Sequence, residues 1–153
     1  MGRKHKLRSH DEALAFGTKL LTVVRRAHPK EKLAVHFDID STLLNEDEKK
    51  QYKVGDDSYL STNNKVVKLL LVAMRLGYRI VIITARPKQS EAWTKENLKL
   101  AHIPYDDLIF SIQKPRWKRD LSKRFGLRFV MSVGDSIVDV QGEYAGVGIL
   151  LET

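Results

Sequence analysis

An apolar run of strand character ends in two carboxylates within residues 35–44, Val35-His36-Phe37-Asp38-Ile39-Asp40-Ser41-Thr42-Leu43-Leu44. Alternate side chains of a strand share a face, so we expect Asp38 and Asp40 to point the same way. Two like charges held close together are unfavourable unless a cation or a shared proton neutralises them. The pair therefore indicates a metal site and a reaction. The alternative is a strand that runs into a solvated acidic turn.

Length and composition limit the class of protein. A chain of 153 residues, 42% of them hydrophobic, is long enough for one domain with one core. No apolar run approaches the roughly 18 residues that a membrane span needs. Residues 1–8 lack the apolar stretch of a secretory signal, so we expect no membrane partner. The absence of cysteine excludes a disulfide framework and a thiolate metal site, and it fits a cytoplasmic protein.

The positive charge of the chain indicates an anionic partner. A net charge of +8 and a pI near 9.7 favour encounter with phosphorylated metabolites or nucleic acids. The charge is uneven, since residues 113–128 contain a single acidic residue, Asp120, among seven basic ones: Lys114, Arg116, Lys118, Arg119, Lys123, Arg124 and Arg128. The alternative is a solvated helix face with no nucleic-acid partner.

The hydrophobic pattern predicts short buried strands that alternate with helices. The predicted strands are Leu33–Phe37, Arg79–Ile83, Leu108–Phe110, Phe129–Val133 and Val147–Leu151. The predicted helices cover residues 10–28, 66–74, 89–101 and 115–125, with a short one before the last strand. We expect a basic tail at residues 1–9, a single domain at residues 10–153, and within it a small flap at about residues 43–62.

Buried strands that alternate with helices predict an α/β fold: a doubly wound, mostly parallel sheet with helices on both faces. Right-handed crossovers gather the carboxyl ends of such strands at one edge, where a switch in strand order opens a crevice. Asp38, Thr84 and Asp135 each follow a predicted strand, so all three are expected at that edge.

Four short patterns mark this edge, and each is weak alone. They are DxDxT at residues 38–42, Thr84 after the second strand, Lys114 before the next-to-last strand, and GDxxxD at residues 134–139 after it. Their order resembles the haloacid dehalogenase-like (HAD) superfamily, whose members are mostly Mg2+-dependent phosphatases. The resemblance runs from residue 33 to residue 153, about four-fifths of the chain.

The resemblance implies roles for four aspartates. Asp38 would be the nucleophile that forms an aspartyl-phosphate. Asp40 would be the general acid toward the leaving oxygen and then the base that activates water. The implied Mg2+ ligands are the Asp38 carboxylate, the Asp40 main-chain carbonyl and Asp135. Asp139 would bond to the metal through water or to the lysine.

The resemblance also implies the groups that hold the phosphate. Thr84 and the backbone amides of Ala85 and Arg86 would bind the transferring phosphoryl oxygens, and Thr42 would order the turn after the nucleophile through its hydroxyl. A lysine would neutralise charge as the carboxylate attacks. Lys114 is preferred for that role, and Lys118, one turn later, is the alternative.

The spacing of the motifs bears on the substrate. The gaps at residues 43–63 and 86–113 are too short for an inserted cap domain, so the resemblance implies a capless phosphatase with an open site. Open sites serve macromolecular phosphate ends or are covered by another subunit of a homo-oligomer. A nucleic-acid end, approached by Arg86, Arg116, Lys118 and Arg119, and a small phosphorylated molecule both stay open as substrates.

Two functions without phosphatase turnover compete with this interpretation. The first is a non-catalytic anion-binding, nucleic-acid-binding or regulatory module on the same fold, against which the intact motifs argue. The second is a receiver-like signalling domain, which shares an aspartate–Mg2+ site on a doubly wound sheet. The DxDxT pattern and the pair of Asp135 and Asp139 argue against a receiver.

Overall fold

One sheet of parallel strands organises the protein, whose computed structural model describes residues 5–45 and 61–153. Within those residues the strands are β1 (Leu7–Arg8), β2 (Leu33–Phe37), β3 (Arg79–Thr84), β4 (Asp107–Phe110), β5 (Arg128–Gly134) and β6 (Val147–Leu151). Their spatial order is β1–β6–β5–β2–β3–β4, and every neighbouring pair is parallel. The predicted parallel sheet is therefore confirmed.

Five α-helices connect these strands in the described part of the chain. They are α1 (His10–Ala27), α2 (Asn64–Arg75), α3 (Glu91–Leu100), α4 (Lys114–Phe125) and α5 (Ile137–Val140), with a 3-10 turn at Lys88–Ser90 before α3. The four longer helices begin and end within two residues of their predicted positions. None of the described helices is long and apolar enough to cross a bilayer.

Strand β1 is an addition to the predicted fold. It lies inside residues 1–9, where a basic tail is expected, and it pairs Leu7 with Leu150 and Arg8 with Leu151. A strand of two residues is too short to show alternation, so the sequence pattern does not indicate it. The predicted flap falls largely on residues 46–60, which lie outside the described residues.

Both faces of the sheet are covered by helices. Val35 and Phe37 point into a large apolar cluster that also contains buried side chains of α1, α2 and α3. Ala34, on the opposite face of the same strand, packs in a smaller cluster against which Leu121 of α4 lies. Two covered faces explain why β2 is buried along its whole length, and they confirm the doubly wound fold.

The strand order places a switch point between β2 and β5. The chain runs from β2 through α2 to β3 on one side, and it returns from β4 through α4 to β5 on the other side. Connections that leave two neighbouring strands in opposite directions leave a crevice at their carboxyl ends. The Asp38 amide donates to the Val133 carbonyl at 3.1 Å, so the pairing of β2 and β5 continues to the mouth of that crevice.

Two glycines with positive φ differ in the space that surrounds their Cα atoms. Gly126, which ends α4, has φ +66° and open space where a Cβ would lie. Gly146 has φ +70°, but a Cβ there would lie 2.3 Å from the Phe129 carbonyl oxygen. We expect Gly126→Ala to cost about 1 kcal/mol for the left-handed backbone. Gly146→Ala should cost about 1–3 kcal/mol more, because backbone must move.

Urea unfolding of both variants, followed by circular dichroism, measures the difference in the free energy of unfolding. Gly126→Ala is the matched control, since it changes the same residue type at a similar φ. Equal losses in the two variants would show that the backbone around residue 146 is free to shift.

Candidate active site

Three aspartate side chains meet at the carboxyl ends of β2 and β5. Asp38 directly follows β2, Asp135 directly follows β5, and Asp139 belongs to α5. One carboxylate oxygen from each lies within 4.8 Å of the other two. Asp38 and Asp139 are buried, whereas Asp135 is partly exposed. The structure thus brings together Asp38 and Asp135, which the resemblance implies as metal ligands, and Asp139, which it implies as bonding to the metal through water or to the lysine.

Asp38 has a different partner on each carboxylate oxygen. Lys114 Nζ donates to Oδ1 at 2.8 Å, and the Thr42 hydroxyl donates to Oδ2 at 3.3 Å. The Thr42 hydroxyl reaches back because the chain turns sharply after β2: the Ile39 carbonyl accepts bonds from the amides of residues 42, 43 and 44. Burial raises the pKa of Asp38 to about 7, although Lys114 opposes the rise.

Asp139 is held by side chain and backbone donors on both carboxylate oxygens. Lys114 Nζ donates to Oδ1, and the Ser136 amide donates to Oδ2 at 3.1 Å, which completes a capping box at the start of α5. Gly134 leaves room for this arrangement, since a Cβ there would lie 2.3 Å from Asp139 Cβ. Lys114 thus bridges Asp38 and Asp139. Burial lowers the pKa of Lys114, but these two carboxylates outweigh it and raise the pKa.

Asp40 lies apart from the three-carboxylate cluster and pairs with Arg86. The guanidinium donates from Nε to Oδ2 at 2.9 Å and from Nη2 to Oδ1 at 2.7 Å, which is a bidentate pair. Arg86 is itself fixed by α3: its Nη1 donates to Thr94 Oγ1 at 3.1 Å and to Asn97 Oδ1 at 3.0 Å. The guanidinium also lies 4.6 Å from the centre of the Trp93 ring.

The predicted phosphate-binding residues lie at the end of β3. Thr84 is buried there, and its hydroxyl accepts a bond from the Arg86 amide at 3.1 Å. Ala85 follows and is exposed. The side chain of Arg86 is turned inward to Asp40, so in this structure it does not present its charge to solvent.

Lys118 takes a position that the sequence does not reveal. Its side chain is fully buried on the face of the sheet covered by α4. Nζ donates to the Asp139 main-chain oxygen at 2.7 Å and to Ser132 Oγ at 3.1 Å, and it lies 3.2 Å from His36 Nδ1. Burial lowers the pKa of Lys118 to about 7. Of the two candidate lysines, it is Lys114 that contacts the Asp38 carboxylate.

Four residues of this site are missed by sequence reasoning: His36, Thr94, Asn97 and Ser132. Thr94 and Asn97 are three apart on a helix and therefore share a face, which is the signal that could have paired them with a buried polar group. His36 and Ser132 sit inside apolar strands, where a polar residue has no local pattern to mark it.

Comparisons with known proteins bear out the family. A family model described as HAD superfamily, subfamily IIIB (acid phosphatase), matches residues 9–150. The protein belongs to this family. The resemblance to the HAD superfamily drawn from the four motifs is therefore confirmed.

Solved structures share the fold of this HAD protein. The class C acid phosphatase from Bacillus anthracis is 19% identical with a TM-score of 0.71, over 87% of this chain and 64% of that one. A chain of the Pnkp1/Rnl/Hen1 complex is 20% identical with a TM-score of 0.64, over 79% of this chain and 46% of that one. The HAD protein thus spans about half to two-thirds of their length. No curated protein sequence matches it.

The donor set of this HAD protein fits a hard divalent cation. With all three carboxylates ionised, as metal ligation requires, the cluster and the Lys114 ammonium together carry a net charge of −2. Mg2+ accepts carboxylate oxygens and keeps waters in its remaining positions, so it would complete this charge balance. The Asp40 main-chain oxygen, which belongs to the same turn as Thr42, stays a predicted ligand.

The raised pKa of Asp38 predicts a pH-dependent stability in EDTA-treated protein. The folded state holds the Asp38 proton up to about pH 7, whereas the unfolded chain releases it near pH 4. The stabilisation from this proton is complete below about pH 4 and is lost as the pH rises through 7. We expect wild type to lose up to about 4 kcal/mol relative to Asp38→Asn across that window.

Chemical unfolding at a series of pH values measures this difference in the presence of EDTA. Asp38→Asn is the matched control, because it keeps the shape of the side chain and cannot titrate. Parallel pH curves for the two proteins would contradict the prediction.

Proposed function

We propose that this HAD protein is a Mg2+-dependent phosphomonoester hydrolase that acts through an aspartyl-phosphate on Asp38. The observation that carries the proposal is the arrangement of Asp38. Its carboxylate is buried, bonded to Lys114 and Thr42, and adjacent to two more carboxylates, while Asp40 is held separately by Arg86. This arrangement supports Asp38 as the carboxylate that attacks and Asp40 as the group that transfers a proton.

In the first step a carboxylate oxygen of Asp38 attacks the phosphorus atom. The bond between phosphorus and the ester oxygen breaks, and the departing oxygen takes a proton that Asp40 delivers as general acid. The products are an alcohol and the aspartyl-phosphate. Arg86 fixes the plane of the Asp40 carboxylate through two bonds, so Asp40 acts as the acid after it takes up a proton and releases one of those bonds.

In the second step Asp40, now a carboxylate, takes a proton from water. The water oxygen attacks phosphorus, the acyl-phosphate bond breaks, and inorganic phosphate leaves with the Asp38 carboxylate restored. Through both steps Lys114 faces Asp38 and offsets the charge that gathers on the phosphoryl oxygens. When bound at the three-carboxylate cluster, Mg2+ supplies the remaining positive charge.

The groups at the end of β3 complete the phosphate site. The Thr84 side chain lies at the same carboxyl edge as Asp38, because β2 and β3 are paired with Phe37 opposite Ile82. Backbone amides that follow a strand in a turn are suited to bind anionic oxygens. We assign Thr84 and the backbone at Ala85 and Arg86 to the transferring phosphoryl oxygens.

A chromogenic aryl phosphate tests the enzyme. We expect turnover that needs Mg2+, stops with EDTA and falls at least about 10^3-fold in Asp38→Asn, because the nucleophile is lost. Asp11→Asn, an exposed residue of α1, is the matched control and should keep full activity. Release of phosphate measures the rate.

Two results would decide against this function. One is the absence of metal-dependent turnover in wild type on a broad panel of phosphate esters. The other is turnover that Asp38→Asn retains, which would place the activity outside the described site.

The substrate that the surface favours is a terminal phosphate of a nucleic acid. Helix α4 begins at Lys114 in the site and exposes Arg116, Arg119, Lys123 and Arg124 along its outer side. A basic surface that begins at the catalytic centre can hold the phosphate chain that precedes a terminal group. The likeness in fold to a chain of an RNA repair complex agrees with this choice but does not carry it.

Salt dependence separates the two substrate classes. We expect kcat/KM for an end-phosphorylated oligonucleotide to fall more steeply than that for a mononucleotide between about 50 and about 200 mM salt. Arg116→Gln/Arg119→Gln should reduce the slope for a single-stranded oligonucleotide by about 1.4 in log–log units, about 0.7 for each charge removed. The matched control, Arg26→Gln/Lys30→Gln, removes the same charge near the opposite edge of the sheet. A salt-insensitive preference for mononucleotides would assign a small-molecule substrate.

A further inference from the structure

Lys118 is a buried charged group that the proposed reaction does not use. It lies one turn after Lys114 on α4, and its side chain has no exposed surface. Lysine side chains are almost never fully buried unless they are paired. The partners of Lys118 therefore indicate what its burial achieves.

These partners come from the elements that lead to, or contain, the aspartates of the three-carboxylate cluster. Ser132 belongs to β5, which leads to Asp135, and His36 belongs to β2, which leads to Asp38. The third partner is the main-chain oxygen of Asp139 in α5, which is the closest of the three at 2.7 Å. One ammonium thus connects α4 to every described element that contributes a carboxylate to the three-carboxylate cluster.

Helix α5 needs such a connection, because it has only four residues. A single helical turn is not stable by itself, so its orientation depends on contacts with the rest of the fold. Lys118 holds the backbone of Asp139, while Lys114 holds its carboxylate. Two lysines one turn apart on α4 therefore bind the backbone and the side chain of the same residue, Asp139.

We propose that Lys118 is a positioning residue, which holds the Asp139 backbone so that the Asp139 carboxylate meets Lys114 and the metal-binding aspartates. This inference rests on the proposed function only in taking the three-carboxylate cluster as a Mg2+ site. Lys118 itself touches neither substrate nor metal in this assignment. Its effect is carried by Asp139.

Ser132 orients the ammonium for this task. The Ser132 hydroxyl donates to the Ala145 carbonyl at 2.7 Å, so its proton is engaged and its lone pairs face Lys118. His36 Nδ1 lies 3.2 Å from Lys118 Nζ and 3.2 Å from the Asp139 main-chain oxygen, so the imidazole packs against the same contact. Ser132 and His36 belong to strands β5 and β2, so they define where Lys118 Nζ lies when it donates to the Asp139 main-chain oxygen in α5.

Lys118→Met tests the proposal, since methionine fills a similar volume and donates no hydrogen bond. We expect the Mg2+ concentration for half-maximal activity to rise about 10- to 100-fold, with a lower kcat, as for other groups that support metal ligands. The KM for the aryl phosphate at saturating Mg2+ should change little. Lys19→Met is the matched control, an exposed lysine on α1 away from the proposed binding surface, and should match wild type.

A direct binding measurement accompanies the kinetics. Mg2+ should raise the melting temperature of wild type and of Lys19→Met, and the same rise in Lys118→Met should require at least about 10-fold more Mg2+. Asp139→Asn then tests the route of the effect. In that background Lys118→Met should weaken Mg2+ binding little further, because residues that act through one another are not additive.

A purely structural role predicts a different outcome. Lys118→Met would then melt at a lower temperature, yet below that temperature its Mg2+ dependence and kcat would equal those of wild type, and the proposal would be overturned. If Lys118→Met does not fold, Ser132→Ala replaces it, because it removes one acceptor of the ammonium. A Mg2+ dependence unchanged from wild type in Ser132→Ala would overturn the proposal as well.

The melting data keep this proposal distinct from the phosphatase proposal. Wild type that binds Mg2+ but hydrolyses no phosphate ester would refute the phosphatase and leave Lys118 to be judged by the Mg2+-induced rise in melting temperature. If wild type is active and Lys118→Met has the same Mg2+ dependence as wild type, the phosphatase proposal stands and the positioning role of Lys118 is refuted. Wild type without either response to Mg2+ would refute both.

Discussion

Three carboxylates are held at one buried edge of the sheet, and the ammonium of Lys114 is what makes that arrangement tolerable. Without an opposite charge, Asp38, Asp135 and Asp139 would repel one another in a region where water screens poorly. Lys114 bonds to two of them and leaves the cluster with the charge that a divalent cation balances. The fold supports this lysine by starting α4 at the same edge.

The topology of the sheet explains why these groups can meet at all. The aspartates come from positions about 100 residues apart in the chain, yet β2 and β5 are neighbours because the chain changes direction between β4 and β5. Side chains that follow the two strands therefore share one crevice. Apolar layers cover both faces of the sheet and support the strands that end at this crevice.

Much of this could be predicted from the sequence, because the relevant signals are local. The apolar runs reveal the strands, and an aspartate directly after a buried strand must lie at its carboxyl end. The pairing of Asp40 with Arg86 could not be predicted in this way. It depends on the direction of two side chains from different strand ends and on the support of α3, which no local pattern encodes.

The net charge of the α4 region likewise does not show which of its basic side chains are buried. Residues 113–128 contain seven basic side chains, but two of them, Lys114 and Lys118, are buried at the site. Their spacing of four places them on one face of the helix, whereas Arg116 and Arg119 lie on another. Net charge alone would count all seven toward an anionic partner. The helical period instead separates the buried lysines, which contact the aspartates of the site, from the exposed basic side chains, which are available to an anionic partner.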